Sequence, residues 1–183
     1  AKQIPGKEEF YETLRYFGKQ IELTGVQLKL NTRVGVDELA AGGFDEVVLA
    51  TGVSPRTPAI DGADHPKVLS YLDVLRDKKP VGKRVAVIGA GGIGFDVSEY
   101  LTHEGTSPSI DAPKFYAEWG IDTSYAERGG VKAPHLDTPP RQVYLLQRKT
   151  SKVGDGLGKT TGWIHRTSLK NRNVEMKIGR AHV

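Results

Sequence analysis

The chain has 183 residues, of which 38% are hydrophobic and 26% charged, and a formal net charge of +4. These values are typical of a folded globular protein with one domain and part of a second. So mild a charge, with no basic stripe interleaved with aromatic residues, argues against nucleic-acid binding. No run is long and apolar enough to cross a membrane, and the absence of cysteine excludes disulfides and thiolate metal sites within the chain. These observations leave the compartment open; we expect the cytoplasm by default, and no bound metal in this chain.

The first element is predicted to be an amphipathic helix over residues 8–24. Gly25 stands where a glycine commonly ends a helix. Four apolar residues recur at spacings that put them on one helical face: Phe10, Leu14, Phe17 and Ile21.

Two strands and two short helices are predicted next. Residues 26–30 alternate apolar and polar side chains, and residues 46–50 form a short apolar run, so both segments are predicted to be strands. Between them, Asp37 is expected to cap a helical turn that glycines end. Ser70 and Asp73 form a capping box, which predicts a short helix ending near Arg76.

The central feature is a glycine pattern that follows a hydrophobic run. Residues 85–88 are all apolar, which is typical of a buried strand in a parallel sheet. Gly89, Gly91 and Gly94 then follow in the pattern G-x-G-x-x-G. The first allows a sharp turn, the second lets the backbone approach a pyrophosphate, and the third lets the next helix pack closely. This context predicts a dinucleotide site, with a tight structural turn as the alternative.

A helix is predicted after these glycines, ending near Gly105, with Ile93, Val97 and Leu101 facing the sheet. The stretch from about residue 105 to 140 is longer than most structureless loops and is predicted to be an insert.

Within the insert, a short helix is predicted from Asp111, as the cap, to Trp119. Phe115 and Trp119 are four residues apart, so they either fold the insert onto itself or form part of a lid or docking surface.

The next strand, residues 143–146, leads into Gln147, Arg148 and Lys149. Sites for NAD carry an acid at the end of this strand, which accepts hydrogen bonds from the ribose 2′-hydroxyl. No acid stands here, and a guanidinium can bind a 2′-phosphate bidentately. The strand end therefore favours NADP(H), with a solvent-exposed basic turn as the alternative.

The last elements are a short helix and a strand. Thr160 or Thr161 is expected to cap the helix, and residues 174–177 are predicted to begin the strand. Residues 178–183 back-translate to a common sequencing-adaptor string, ATC GGA AGA GCA CAC GTC, so we expect them to be a non-native tail.

Taken together, the chain resembles an internal piece of the bacterial NADPH-dependent 2,4-dienoyl-CoA reductases, which are flavoproteins of unsaturated fatty-acid β-oxidation. The resemblance spans nearly all of residues 1–177 and includes the insert. It is carried by AKQIPGKEEFY (1–11), LATG (49–52), HPKVLSYLDVLR (65–76), GGIGFD (91–96), EWGID (118–122) and GLGKTTGWIHR (156–166).

This resemblance implies an α/β fold with two parts. Residues 1–77 would be part of an FAD-binding domain, and residues 78–177 an incomplete Rossmann-like NADPH-binding domain. In the family, an FMN-binding barrel and an iron–sulfur cluster of the 4Fe-4S type lie upstream in the same chain, and the substrate is an enoyl thioester. Electrons pass from NADPH to FAD and onward, so this chain would be the electron-entry segment, not active by itself and without catalytic residues of its own.

The site residues implied by the resemblance fall into two groups. Lys7, Val34, Thr51 and Gly52 correspond to FAD contacts, with Val34 ending a strand. The NADPH site corresponds to Gly89, Gly91, Gly94, Arg148 and Lys149. Two alternatives stay open: another NADPH-dependent FAD ene-reductase or ferredoxin-type reductase, and a non-catalytic NADP(H)-binding module.

Overall fold

A computed structural model describes residues 1–179, and these form two compact units. One unit contains Ala1–Tyr11 together with the chain from Leu69 onward, and the other is Glu12–Val68. The boundary between residues 77 and 78 follows from the resemblance and stays a prediction. In chain order the elements are α1 (Phe10–Leu23), α2 (Val36–Ala41), α3 (Tyr71–Leu75), β1 (Arg84–Ile88), α4 (Gly92–Thr102), α5 (Ala112–Trp119), β2 (Gln142–Gln147), α6 (Gly162–Asn171) and β3 (Glu175–Ile178).

The first unit is built on a parallel sheet in the order β1-β2-β3. Ile88 pairs with Leu146, and Gln147 pairs with Ile178, so the carboxyl ends of all three strands meet at one edge. This confirms the predicted α/β class with a parallel sheet. Ile178 belongs to β3, so the predicted non-native tail begins inside a strand, while its residues 180–183 lie outside the described residues.

The core of this unit lies between the sheet and helices α3, α4 and α6. The expectation that residues 85–88 are wholly buried is wrong, because Val85 and Val87 are half-buried while Ile88 is 66% exposed. Successive side chains of a strand point to opposite faces, and only one face of β1 meets the core among the described residues. The buried core residues are Val74, Phe95, Val97, Leu101, Val143, Leu145, Val153, Leu169 and Val174.

Helix α4 buries two of the three residues that were predicted to face the sheet. Val97 and Leu101 are buried as expected, but Ile93 is 54% exposed. Gly94 instead packs against the turn after β1, and Leu145 lies close to it. Adjacent residues are about 100° apart around a helix, so seating Gly94 against the sheet turns Ile93 toward solvent.

The predicted insert folds onto itself. Asp111 caps α5 by accepting a hydrogen bond from the Lys114 N–H at 3.1 Å, and the rings of Phe115 and Trp119 lie 6.2 Å apart. Ile121 and Val131 form an antiparallel bridge farther along. The predicted cap and helix are therefore confirmed.

A buried ion triad joins the insert to the helices of the sheet. Arg172, at the end of α6, lies 2.8 Å from Glu118 of α5 and 3.2 Å from Glu99 of α4. The three side chains are only 9–15% exposed. Burial raises the pKa of Glu99, Arg172 and a hydrogen bond from Ser168 act in the opposite direction, and Glu118 raises it further.

The second unit contains most of α1, which matches its predicted span within two residues at the start and one at the end. Gly25 ends it as expected: the Gly25 N–H bonds to the Glu22 carbonyl and the Val26 N–H to the Ile21 carbonyl, a Schellman arrangement. Its apolar face is largely exposed, since Phe10, Leu14 and Phe17 each keep about half of their surface in contact with solvent.

Four expectations for this unit are wrong. Residues 26–30 and 46–50 are not strands, and Val34 therefore ends none. A strand needs a neighbour for its N–H and C=O groups, and the described residues supply none here. Asp37 does not cap α2; Gly35 does, and the Glu38 carboxylate accepts the Gly35 N–H at 2.9 Å.

Within residues 1–179, no helix is long and apolar enough to cross a membrane.

Candidate dinucleotide site

The glycine turn after β1 is shaped by two different constraints. Gly89 has φ +108°, a conformation that residues with a side chain rarely adopt, and its N–H donates to the Leu146 carbonyl at 2.9 Å. A methyl group on Gly94 would stand 1.8 Å from the Gly89 carbonyl oxygen. The turn and the close approach of α4 therefore both require glycine.

The start of α4 fits a pyrophosphate group. Gly91 is the N-cap, and a methyl group there would meet no described atom within 4 Å, so the space beside the backbone is open. The first N–H groups of a helix have no intrahelical partner and stand at its positive dipole end. The first turn of α4 carries no acidic side chain. This arrangement can accept an anion without competition from a carboxylate.

Arg148 and Lys149 lie beside this turn. They directly follow β2, whose Leu146 pairs with the last residue of β1. Neighbouring strands are about 4.8 Å apart, so the basic residues leave the sheet next to Gly89. Both side chains are exposed, and within residues 1–179 neither forms an ion pair. Two cations without an ion-pair partner among residues 1–179 thus lie at the same edge of the sheet as the glycine turn.

Lys7 is in the same unit, and its ammonium is engaged by α4. Its Nζ lies 2.6 Å from the Asp96 carboxylate, one turn into the helix, and both side chains are mostly buried. Burial lowers the pKa of nearby His165, the charge of Lys7 lowers it further, and Asp96 partly offsets this. The correspondence of Lys7 to an FAD contact stays a prediction.

The remaining predicted FAD residues, Val34, Thr51 and Gly52, belong to the unit Glu12–Val68. All three are exposed and lie outside regular structure. The described residues of this unit form no sheet with a glycine turn and helix, so they do not by themselves fit FAD. The structure thus brings the five predicted NADPH residues together and leaves the FAD residues without a common site.

Two contributors were not predicted from the sequence. Asp96 holds Lys7, and its only sequence signal is an acid two residues after the last glycine of the pattern. The Gln147 side chain bonds to the backbone of the basic turn, with Nε2 3.0 Å from the Lys149 carbonyl and 2.6 Å from that of Ser151. A long amide at a strand end, before Thr150 and Ser151, is its only sequence signal.

A parallel sheet whose first strand runs through a glycine turn into a helix defines a dinucleotide-binding α/β domain. The family model for the pyridine nucleotide-disulphide oxidoreductases matches residues 9–182. The chain belongs to this family, whose members are oxidoreductases that bind FAD and NAD(P)H.

Three similar proteins are reductases, and each is much longer than this chain. The chain is 38% identical over 112 residues to a cinnamate reductase of Clostridium sporogenes, covering 58% of this chain and 16% of that protein. It is 28% identical to a metal reductase of Desulforamulus reducens, covering 95% and 26%. A solved 2-naphthoyl-CoA reductase superposes with a TM-score of 0.69 at 25% identity, covering 97% of this chain and 21% of that one. The chain thus spans about a quarter or less of these relatives.

Proposed function

We propose that this chain is the NADPH-binding, electron-entry segment of a flavin-dependent reductase of the 2,4-dienoyl-CoA reductase type. The observation that carries the cofactor assignment is the pair Arg148 and Lys149, free of ion pairs within residues 1–179 and adjacent to the turn at Gly89. A 2′-phosphate carries charge that a guanidinium and an ammonium can bind, whereas a carboxylate at this strand end would repel it.

The residues of this chain hold the nucleotide end of the cofactor. The start of α4, capped by Gly91, binds the pyrophosphate through its N–H groups, and the basic turn binds the 2′-phosphate. When bound, NADPH supplies the hydride for a flavin. Gly94 has no side chain, so α4 packs closely against the glycine turn and holds it in place. Positioning is therefore the contribution of this segment, and the residues of substrate chemistry lie elsewhere.

The rest of the active assembly belongs to a longer protein. We propose that it carries the remainder of the FAD domain, an FMN barrel and a 4Fe-4S segment, and acts on an enoyl thioester in β-oxidation. Support comes from the size and type of the relatives, since 2-naphthoyl-CoA reductase is likewise named for a thioester. We place this protein in the cytoplasm, where NADPH is supplied.

A second candidate is a related ene-reductase acting on a free conjugated acid. The 38% identity to a cinnamate reductase favours it, because cinnamate has a double bond conjugated to a carboxylate. The glycine turn and basic turn serve either substrate equally well. Assaying the longer protein with a 2,4-dienoyl-CoA and with cinnamate separates the two, and turnover of cinnamate alone would overturn the thioester assignment.

The cofactor assignment is tested by replacing both basic residues, Arg148→Ala with Lys149→Ala. Each charge-assisted hydrogen bond is worth about 1.5–3 kcal/mol, so the loss of both should lower NADPH affinity by at least about 100-fold. NADH affinity should change little. Calorimetric titration of NADPH and NADH measures both values.

The matched control removes the same charges from the opposite edge of the same sheet, Lys83→Ala with Arg84→Ala. Both residues are exposed, at and just before the start of β1. This variant should retain the affinity of the unaltered chain. Equal weakening of NADPH and NADH by the first variant would overturn the assignment of the 2′-phosphate to this turn.

A further inference from the structure

One side chain bonds to the backbone of the basic turn, which comprises residues 148–151. The Gln147 carboxamide nitrogen donates to the carbonyls of Lys149 and Ser151, at 3.0 and 2.6 Å. Both partners are carbonyl oxygens, which only accept, so the amide nitrogen must face them and both of its hydrogens are used. Residues 148–151 therefore close back over the end of β2 instead of continuing outward.

This side chain starts from a strand end that is paired on both sides. Gln147 is half-buried and is the last residue of the central strand. The preceding residue, Leu146, accepts the Gly89 N–H at 2.9 Å on one side and pairs with Lys177 of β3 on the other. The end of β2 is thus held on both sides. The hydrogen bonds of the Gln147 amide in turn hold the backbone of the turn against this strand end.

The positive charge of the basic turn favours an uncharged hydrogen-bond donor at position 147. Arg148 and Lys149 are exposed, and Lys152 follows three residues after Lys149. A glutamate in place of Gln147 would face two carbonyl oxygens without a proton to donate and would add negative charge beside the cations. A glutamine supplies two donors and no charge, which suits a turn that receives a phosphate.

We infer that Gln147 is a positioning residue that sets the preference for the 2′-phosphorylated cofactor, by holding residues 148–151 so that Arg148 and Lys149 face the 2′-phosphate. This inference rests on the proposed cofactor site. It assigns no contact with the cofactor to Gln147 itself, which acts through the two basic residues.

The test compares binding of adenosine 2′,5′-bisphosphate and of AMP to the full chain by calorimetry. Gln147→Leu removes both donors and adds no charge. The loss of both hydrogen bonds should lower bisphosphate affinity by roughly tenfold or more. AMP affinity should stay unchanged. Gln147→Glu should lose more bisphosphate affinity, because its charge also repels the phosphate directly. Gln147→Met, which is neutral and likewise lacks the donors, decides the question if the leucine variant does not fold.

Gln142→Leu is the matched control, because Gln142 begins the same strand and its amide bonds to the surface residue Glu175 at 3.0 Å. It should change neither affinity. A cycle with Arg148→Ala plus Lys149→Ala adds a second readout: if Gln147 acts through these residues, Gln147→Leu should cost nothing further once they are gone.

The outcomes separate the two claims. If the unaltered chain does not prefer the bisphosphate over AMP, the proposed cofactor site is wrong and this inference fails with it. If the preference exists and Gln147→Leu keeps it, or weakens both nucleotides equally, only the role of Gln147 is overturned. A selective loss of bisphosphate affinity that disappears in the Arg148 and Lys149 background supports it.

Discussion

The two compact units differ in how far they bury their apolar side chains. In the unit built on β1, β2 and β3, residues such as Leu145 and Leu169 are completely buried. In the unit Glu12–Val68, Val48 is 87% and Leu49 80% exposed, although the run around them has the composition of a strand. Apolar composition is therefore present in both units, but only one of them converts it into a core.

The difference lies in strand pairing. Each strand of the first unit has a parallel neighbour within the described residues, which satisfies its backbone groups and fixes which face is inward. Residues 26–30 and 46–50 have no such neighbour there. An apolar run gains burial only when its backbone is paired, so the same pattern yields a strand in one unit and none in the other.

Removing the centre of the ion triad should have the largest effect on the first unit. Arg172→Met leaves the Glu99 and Glu118 carboxylates buried without a cation, which costs about 3–5 kcal/mol. Because burial raises the pKa of Glu99, the folded variant takes up a proton more readily than the unfolded chain, and the deficit should shrink as the pH is lowered toward the ordinary carboxyl pKa of 4.5. Both tryptophans, Trp119 and Trp163, lie in this unit, so denaturant unfolding followed by tryptophan fluorescence measures the change.

The control for that change is Arg15→Met. Arg15 pairs with Glu12 on α1 at 2.6 Å, but the two side chains are 73% and 63% exposed. An exposed pair contributes about 1 kcal/mol or less. Equal losses from the two arginine variants would show that the triad is not stabilising and would weaken the contrast between the units.

Next in size is the close packing of α4 on the glycine turn. Gly94→Ala places a carbon 1.8 Å from the Gly89 oxygen, so the helix must move away, at a cost of about 1–3 kcal/mol. Gly92→Ala meets no atom within 4 Å and should be neutral or slightly stabilising. The free energies of unfolding of both variants measure this; a neutral Gly94→Ala would contradict the packing role.

A smaller, local effect is expected in the insert at low pH. Hydrogen bonds from the Ser124 hydroxyl and the Glu127 and Ser124 N–H groups lower the pKa of Asp122 from 3.8 to about 2. A lowered carboxyl pKa stabilises the fold above the ordinary value and loses that contribution as pH falls. The Glu127 amide resonance should therefore shift between about pH 4 and about pH 2. Asp122→Asn should abolish this transition, and a transition that persists would assign it to another group.

The smallest effect is expected in the second unit. Leu49→Ser should change the stability of the chain by no more than about 0.5 kcal/mol, because Leu49 is exposed. Leu145→Ser, in the core, should cost several times more. A large loss from Leu49→Ser, measured by circular dichroism, would mean that this segment is packed and would remove the contrast on which the comparison rests.

Local patterns were reliable where neighbouring residues alone decide the conformation. The capping box of Ser70 and Asp73, the Asp111 cap and the glycine end of α1 were all predictable, since each involves bonds within a few residues. One local prediction was wrong, since Gly35 and not Asp37 is the cap of α2. The other wrong predictions concern the burial of Ile88 and Ile93 and the strands at 26–30 and 46–50, which depend on which face or which partner the rest of the chain supplies.

The sequence by itself determined the glycine turn, the parallel α/β class and the basic strand end, because these follow from backbone freedom, short-range periodicity and side-chain charge. Only the tertiary structure decided that Arg148 leaves the sheet beside Gly89 and that Arg172 joins the insert to α4. It also decided that the Gln147 side chain bonds to the backbone of the turn formed by residues 148–151. Such contacts are set by strand register and by packing between residues far apart in the chain. No local pattern encodes them.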